Sequence, residues 1–225
     1  MDSPSTPLAV VPTADGSPTL YHPGLRTHYH SQAGAAAESR HVFLQHTGLA
    51  DLLATLPEVH VLEVGLGTGL NALLTAELAR QYPSCRVHYH AVEPLPPPPA
   101  VLADYYRHLA APAGWAEALY RQPNAPQLLA GLRFTWWACR WEAAPAAPGW
   151  AHALYYDPFD PAVAPELWTE AALLQAYHAL APGGRLATYS VRGETRRLLR
   201  RHGIAHSRPR GFGPKREMLV VVRAA

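Results

Sequence analysis

An α/β domain built on a mostly parallel, seven-stranded sheet is what this sequence predicts, on three observations. Short apolar runs alternate with helical patterns from Val59 to the C-terminus, the signature of βαβ units. One junction, "VLEVGLGTG", leads from an apolar run through a glycine-rich turn into a helical pattern. Another, "ALYYDPFDP", ends an apolar run on Asp157 and then turns on prolines. In parallel sheets such junctions fall on the rim where ligands bind.

The elements follow in order. Residues 1 to about 19 read as a polar, proline-containing lead in which "LAVVP" fits a short strand. The next segment is polar and His-rich, then helical in period, with Val42, Phe43 and Leu49 packing while His41 and Gln45 face elsewhere. "VHVLEV" is a strand, "LNALLTAELARQY" a helix, "RVHYHAVE" the second strand, and "VLADYYRHL" a helix after a proline run. "LRFTWWA" and "AHALYYD" are the third and fourth strands, followed by the helix "PELWTEAALLQAYHAL". "APGG" turns into "GRLATYS", the fifth strand, and "GETRRLLRRHG" is a basic helix stopped at Gly203. "IAHS" and "EMLVVVR" complete the sheet as an antiparallel C-terminal edge. Residues 1–50 are thus an N-terminal extension and 51–225 the main domain.

Composition narrows the classes. The chain has 225 residues, 48% of them hydrophobic, enough for one domain with a small appendage. Its two cysteines, Cys85 and Cys139, lack disulfide-framework or metal spacing. No secretory leader or membrane-length apolar run is visible, so a cytoplasmic setting is expected. The net charge is only +2, yet between Arg185 and Arg216 the one acidic residue is Glu194, amid Arg192, Arg196, Arg197, Arg200, Arg201, Arg208, Arg210 and Lys215. A basic C-terminal face suits a polyanion; it is equally the solvated surface of an arginine-rich protein.

The glycine turn indicates the cofactor. Gly65, Gly67 and Gly69 follow a strand and open a helix, with Thr68 and Asn71 beside them. Dinucleotide-binding proteins use GxGxxG there, with pyrophosphate at the helix N-terminus. Here the pattern is GxGxG behind Glu63, and a carboxylate so placed suits an ammonium better than a pyrophosphate. S-adenosylmethionine has an ammonium and no phosphate. Glu93, ending the second strand, has the acceptor-only chemistry that two ribose hydroxyls require. A dinucleotide-dependent dehydrogenase is the competing reading. Asp157 ends the fourth strand on the same rim, and "DPF" echoes the (D/N)PP(Y/F) loop of amino-methyltransferases, in which an acidic or amide group holds an amine and an aromatic ring, here Phe159, stacks on a base. The alternative is an ordinary turn aspartate before proline.

As a set, these motifs resemble the MnmC-like tRNA methyltransferases. An N-terminal block is carried by Leu20, Tyr21, Tyr29, His30, Ser31, Gly34, Ala35, Glu38, His41, Val42, Phe43 and Leu44. "LEVGLGTGLN" spans 62–71, and Glu93, Pro94 and Leu95 close the second strand. Asp157, Phe159, Pro161, Pro165 and Trp168 form the acceptor block; Gly183, Gly184, Leu186, Thr188, Tyr189, Gly193, Arg197, Leu199 and Gly203 the next; "GFGPKREM" the last. The resemblance runs from about residue 20 to the end and implies a Rossmann-like class I S-adenosylmethionine-dependent methyltransferase. It implies methylation of the aminomethyl group on carbon 5 of the tRNA wobble uridine, with or without a 2-thio group.

Residue roles implied by the resemblance are these. Asp157 lies beside the reactive amine, with Phe159 and Tyr29 at the same centre. Glu63, Gly65, Gly67, Thr68, Gly69, Asn71 and Glu93 hold the cofactor together with His30, Ser31 and Glu38, the extension covering the pocket. Tyr189, Lys215 (the chain's only lysine) and Arg216 meet the acceptor, and Arg192, Arg196, Arg197, Arg200 and Arg201 meet phosphate of the tRNA anticodon loop. The match is to the stand-alone form: no metal and no FAD are expected, and upstream tRNA-modifying enzymes must supply the aminomethyl group. After the third strand the family's Gly-Asp is replaced by "ACRWE", leaving Cys139, Arg140 or backbone to meet adenine. Trp136, Trp137 and Trp141 serve as core, adenine wall or partner surface. Two other readings share the fold: a small-molecule amine or polyamine transferase, and a non-enzymatic cofactor- or RNA-binding scaffold.

Overall fold

The computed structural model describes residues 7–224; residues 1–6 of the polar lead lie outside the described residues. Among the described residues, eleven strands and seven α-helices follow in order: β1 Ala9–Pro12, β2 Pro18–His22, β3 Thr27–His28, α1 Ala35–Ser39, α2 Leu49–Thr55, β4 Glu58–Val64, α3 Leu70–Ala79, β5 Arg86–Val92, α4 Pro99–Tyr106, α5 Trp115–Leu119, β6 Pro126–Leu129, β7 Leu132–Trp137, β8 Ala151–Tyr156, α6 Glu170–Ala179, β9 Leu180–Thr188, α7 Gly193–Arg201, β10 His206–Ser207 and β11 Leu219–Val222. A π-helical turn over Arg40–Gln45 links α1 to α2.

The main sheet is eight-stranded, in the order β10-β11-β9-β8-β4-β5-β7-β6. The seven expected strands are present, with β10 and β11 antiparallel at the C-terminal edge. The eighth, β6, corrects the count: it pairs antiparallel with β7 at the other edge. It begins at a proline and is four residues long, and its hairpin turns on Ala130-Gly131, with φ of 46° and 93°, rather than on the Asn-Gly or Asp-Gly that announces a two-residue turn. An Ala in the left-handed region is strained by ~1–2 kcal/mol. Ala130→Asn is expected to raise the stability of the hairpin by up to ~1 kcal/mol, seen as a higher Tm in thermal denaturation; an unchanged or lower Tm would contradict the turn assignment.

The strand expected at "LAVVP" is β1; the His-rich segment adds β2 and β3, which were not expected, and the three form an antiparallel sheet, β1-β2-β3. Thr13, Ser17 and the backbone N–H of Ala37 hydrogen-bond the Asp15 carboxylate and so clip this sheet to α1. Val42, Phe43 and Leu49 pack as expected, at 1%, 2% and 0% exposure.

Both faces of the main sheet are covered. The N-terminal elements, α3, α4 and α5 pack one face; α6, α7 and Trp141 pack the other. Hence β8, Ala-His-Ala-Leu-Tyr-Tyr, reads as a nearly continuous apolar run, as a doubly covered parallel strand does. Trp136, Trp137 and Trp141 are all core, the first donating to the Glu93 carbonyl at 2.9 Å and the last to the Ala172 carbonyl at 3.0 Å. The chain leaves β4 through α3 to β5 on one side and returns to β8 on the other. That reversal makes the carboxyl ends of β4 and β8 the crevice where an open α/β sheet binds ligand.

Candidate functional site

Sheet register brings the sequence-predicted residues together. Val64 lies opposite Tyr156 and Val92, so Gly65 follows β4 between Asp157 and Glu93. The Asp157 N–H donates to the Val64 carbonyl at 3.0 Å, and the Gly65 N–H to that of Val92 at 3.0 Å. At Gly65, with φ of 90°, an added Cβ would stand 2.7 Å from the Asp157 carbonyl oxygen; glycine is the residue that fits. Gly67 donates its N–H to Glu93 Oε2 at 3.0 Å, and Gly69 sits at φ 76° as the cap that opens α3. Two tyrosines that sequence reading did not single out hold this turn. Tyr120 donates to the Gly67 carbonyl at 2.6 Å and Tyr106 to the Thr68 carbonyl at 2.5 Å. No motif marks them, because their helices and loop are joined to the turn by tertiary packing alone.

Four carboxylates converge on the crevice. Glu63 is fully buried; its Oε1 accepts from Asn71 Nδ2 at 2.8 Å and its Oε2 from the Tyr89 hydroxyl at 2.6 Å. The same Asn71 amide donates to Asp157 Oδ2 at 2.9 Å, so Asn71 bridges the two acids. Tyr89 is a further residue missed from sequence, although it lies on β5 across from Val61, on the face that carries Glu63. Glu93 Oε1 accepts from the Leu95 N–H at 2.9 Å. Glu38 is held from both sides, by the Ser31 N–H at 2.9 Å and by Lys215 Nζ at 2.8 Å. That pair ties the N-terminal extension to the C-terminal loop, and Lys215 Nζ also sits 4.4 Å from the centre of the Tyr189 ring. The Tyr189 hydroxyl donates to the Pro158 carbonyl at 2.8 Å, and Tyr29 meets Phe159 edge to face at 5.0 Å. His30 anchors by its N–H to Thr19 Oγ1 at 2.9 Å.

Electrostatics follow from this crowding. Burial pushes the Glu63 carboxyl up to about 8, the hydrogen bonds from Tyr89 and Asn71 only partly opposing it. Burial, then the charges of Glu63 and Glu38, hold Asp157 well above the usual carboxylate range. Burial and then Glu93 push the Tyr29 phenol up to about 12. Burial draws His30 down to about 4 against the pull of Glu38. The sign for stability is definite. An acid with a raised folded pKa binds more protons folded than unfolded, so its contribution is full below about 4.5 and is lost as pH rises through about 8. The depressed His30 has the opposite sign, but it titrates below its unfolded value of 6.5. Between about pH 7 and pH 8.5 the ligand-free protein is therefore expected to lose thermal stability as pH rises. Glu63→Gln, which keeps the amide-compatible shape, is expected to make that slope shallower. An equal slope in both proteins would contradict the burial of a titrating Glu63.

The residues outside the crevice divide differently. Arg192, at the N-terminus of α7, pairs with Asp160 beside the acceptor loop. Asp160 also accepts from the Ala162 N–H at 2.9 Å, so it is part of the loop's structure. Arg201 pairs with Glu170 at 2.8 Å. Arg197, Arg200 and Arg216 are exposed, and Arg196 is partly buried. The four arginines of α7 and Arg192, which caps its N-terminus, thus lie outside the crevice, and Arg192 is the one tied to the acceptor loop.

S-adenosyl-L-methionine fits what is present. Glu93 follows β5 with a half-buried carboxylate, the Asn71 Oδ1 is buried and has no hydrogen-bond partner, a Cβ at Gly65 would meet backbone at 2.7 Å, and one at Gly67 would press on the Tyr29 ring at 3.2 Å. An acidic crevice suits a sulfonium and an ammonium and opposes a pyrophosphate. Fold and site define a class I S-adenosyl-L-methionine-dependent methyltransferase. A family model for S-adenosyl-L-methionine-dependent methyltransferases matches residues 133–224. The chain is 33% identical over 214 residues to the tRNA 5-methylaminomethyl-2-thiouridine biosynthesis bifunctional protein MnmC of Ectopseudomonas mendocina, covering 85% of this chain and 31% of that one. It is 33% identical to the protein of the same name from Cupriavidus necator, covering 95% and 34%. It thus spans about a third of the length of these curated relatives. The crystal structure of MNMC2 from Aquifex aeolicus superimposes with a TM-score of 0.77 at 25% identity, over 97% of this chain and 72% of that one. The chain belongs to the MnmC-like methyltransferase-domain family.

Proposed function

We propose that this protein transfers a methyl group from S-adenosyl-L-methionine to the amine of 5-aminomethyluridine, with or without the 2-thio group, at the wobble position of tRNA. One observation carries the reading. A carboxylate, Asp157, follows β8 directly against the cofactor turn, and the edge-to-face pair of Tyr29 and Phe159 stands at the same turn, Tyr29 beside Gly67. The cofactor supplies an electrophilic methyl on a positively charged sulfur. Glu93 holds the ribose hydroxyls; the backbone at Gly65 and Gly67 lies beneath the ribose and the amino acid chain. The cofactor ammonium favours ionisation of Glu63, which lies behind Asn71 and then supplies the opposing negative charge. His30, Ser31 and Glu38 close the pocket from the extension, residues 1–50.

Asp157 attracts the substrate ammonium, orients it in line with the methyl carbon, and accepts the proton it must shed before nitrogen has a lone pair. Its raised proton affinity suits that task once the positive charges of cofactor and substrate favour its ionised form, because an exposed carboxylate is a poorer base near neutrality. Alignment is the larger part of the barrier reduction. Phe159 and Tyr29 present aromatic surface to a base that leaves the anticodon loop, where unstacking costs least. Tyr189, Lys215 and Arg216 line the acceptor side. The arginines of α7 meet phosphate and so supply affinity without reading sequence. Catalysis belongs with the tRNA pool of the cytoplasm, after enzymes that install the aminomethyl group.

Binding to tRNA is expected to weaken with salt, log Kobs falling linearly with log salt. The triple variant Arg196→Ala, Arg197→Ala, Arg200→Ala is expected to flatten that slope by ~2 in filter binding or fluorescence anisotropy. An unchanged slope would remove α7 from the RNA surface. A free-amine or polyamine acceptor is disfavoured by the local acids. Of the acids in the loop beyond Asp157, Asp160 is engaged by Arg192, and Glu170 by Arg201 and His202, which leaves Glu166 to hold a polycation outside the crevice. In a strain deleted for the gene, mass analysis of tRNA nucleosides is expected to show aminomethyluridine accumulating and its methylated form absent. Unchanged nucleosides would overturn the substrate assignment.

A further inference from the structure

The opposite end of the same strands carries a cluster the methyl-transfer chemistry does not use. Glu58 and His60 begin β4, and His88 lies on β5, paired directly with His60. One donor atom from each of the three lies within 4.8 Å of the others. We propose that Glu58, His60 and His88 form a site for a zinc-class transition-metal ion that pins the amino ends of β4 and β5. It lies about 16 Å along β5 from Glu93, at ~3.3 Å per residue, and is separate from the crevice.

Hydrogen bonding prepares the rings for this. His60 Nδ1 lies 3.1 Å from the Trp150 carbonyl oxygen. A carbonyl only accepts, so the ring proton sits on Nδ1 and the Nε2 lone pair is left free. That is the arrangement in which an outer carbonyl orients a metal-binding imidazole. His60 Nε2 points toward Glu58 Oε1 at 3.8 Å. His88 Nε2 lies against that same oxygen, is buried, and makes no hydrogen bond of good geometry. Such an atom is costly unless something binds it. The indole of Trp150 stacks on His60 with centroids 4.6 Å apart and planes 4° from parallel, fixing the ring.

Neighbouring groups set the site's limits. His152 Nδ1 accepts the His60 N–H at 3.1 Å, so that lone pair is spent. His90 also stacks on Trp150, with centroids 4.1 Å apart. Arg86 reaches Glu58 Oε2 at 3.6 Å, leaving Oε1 as the metal-facing oxygen. The side chains of His60, His88 and Glu58 keep 26%, 22% and 35% exposure, so an ion enters from solvent and water completes its coordination. Two imidazoles and one carboxylate suit zinc, cobalt, nickel or copper and do not suit calcium or magnesium.

The test uses the full chain, stripped with a chelator, then titrated with zinc against a chromophoric competitor and separately with cobalt. One equivalent of zinc is expected to bind and to raise Tm. Cobalt is expected to give visible d–d bands of a four- or five-coordinate ion. His60→Gln with His88→Gln is expected to weaken zinc at least ~10-fold, since even outer-shell losses cost about that much, and to abolish the bands while methyl transfer persists. Glu58→Gln, which leaves both rings in place, serves as a second variant with an intact fold checked by circular dichroism, and is expected to weaken zinc in the same direction. Zinc affinity equal in the wild type and both variants, or no zinc retained by the wild type, would overturn the proposal.

Discussion

Asp157→Ala is expected to lower kcat for methyl transfer to tRNA by at least ~10²-fold, the cost of misplacing a reacting group, while S-adenosyl-L-methionine still binds. The side chain removed touches the cofactor turn only through Asn71, at 2.9 Å from Asp157 Oδ2; the backbone that packs on Gly65 is untouched. Asp157→Asn separates position from charge. It keeps a group of the same shape beside Asn71 but cannot accept the substrate's proton, so its kcat is expected to fall nearly as far, with KM changed little. Steady-state kinetics with calorimetric cofactor binding reads both. A variant with wild-type kcat would remove Asp157 from the reaction.

Gly65→Ala is expected to have the second large effect, on cofactor affinity. The new Cβ would stand 2.7 Å from the Asp157 carbonyl oxygen at a φ of 90°. Backbone must then shift at the one place where β4 and β8 adjoin the ligand. Strain of this kind costs ~1–3 kcal/mol, and the displaced turn carries Gly67, whose N–H orients Glu93. Cofactor affinity is expected to fall more than ~10-fold alongside a lower Tm. Gly114→Ala is the control: its φ is 73° but a Cβ there meets nothing within 4 Å. That variant is expected to lose ~1 kcal/mol of stability and no affinity. Equal cofactor affinity in the two variants would mean that the Gly65 turn does not form the cradle.

Much of this was legible in the sequence because it is local. Period-two and period-3.6 patterns placed the five parallel strands and the helices between them. Strand ends placed Glu63, Gly65, Glu93 and Asp157 on one rim, and the sheet's register then made them neighbours. What escaped was either short or tertiary. β6 lacks a turn signal and β3 has two residues. The resemblance implies Asn71 as a cofactor residue; that it bridges Glu63 and Asp157 needs α3 set against both β4 and β8. Tyr89, Tyr106 and Tyr120 reach the site from three elements with no common motif. The ion pair between Glu38 and Lys215 joins the first and last parts of the chain, a separation that no local pattern reports. The arginine run of α7 looked uniform in sequence, yet Arg192 and Arg201 are tied to Asp160 and Glu170, which leaves the middle of the helix as the free positive surface.

We propose an amine on tRNA as the methyl acceptor, at a crevice governed by Asp157. The direct measurement is transfer of labelled methyl from S-adenosyl-L-methionine by the purified protein, with three acceptors in parallel: tRNA carrying aminomethyluridine, the same tRNA lacking it, and free small amines. Label is expected in the first alone, recovered as methylaminomethyluridine after digestion. Label in free amines without tRNA, or none in the modified tRNA despite bound cofactor, would contradict the account.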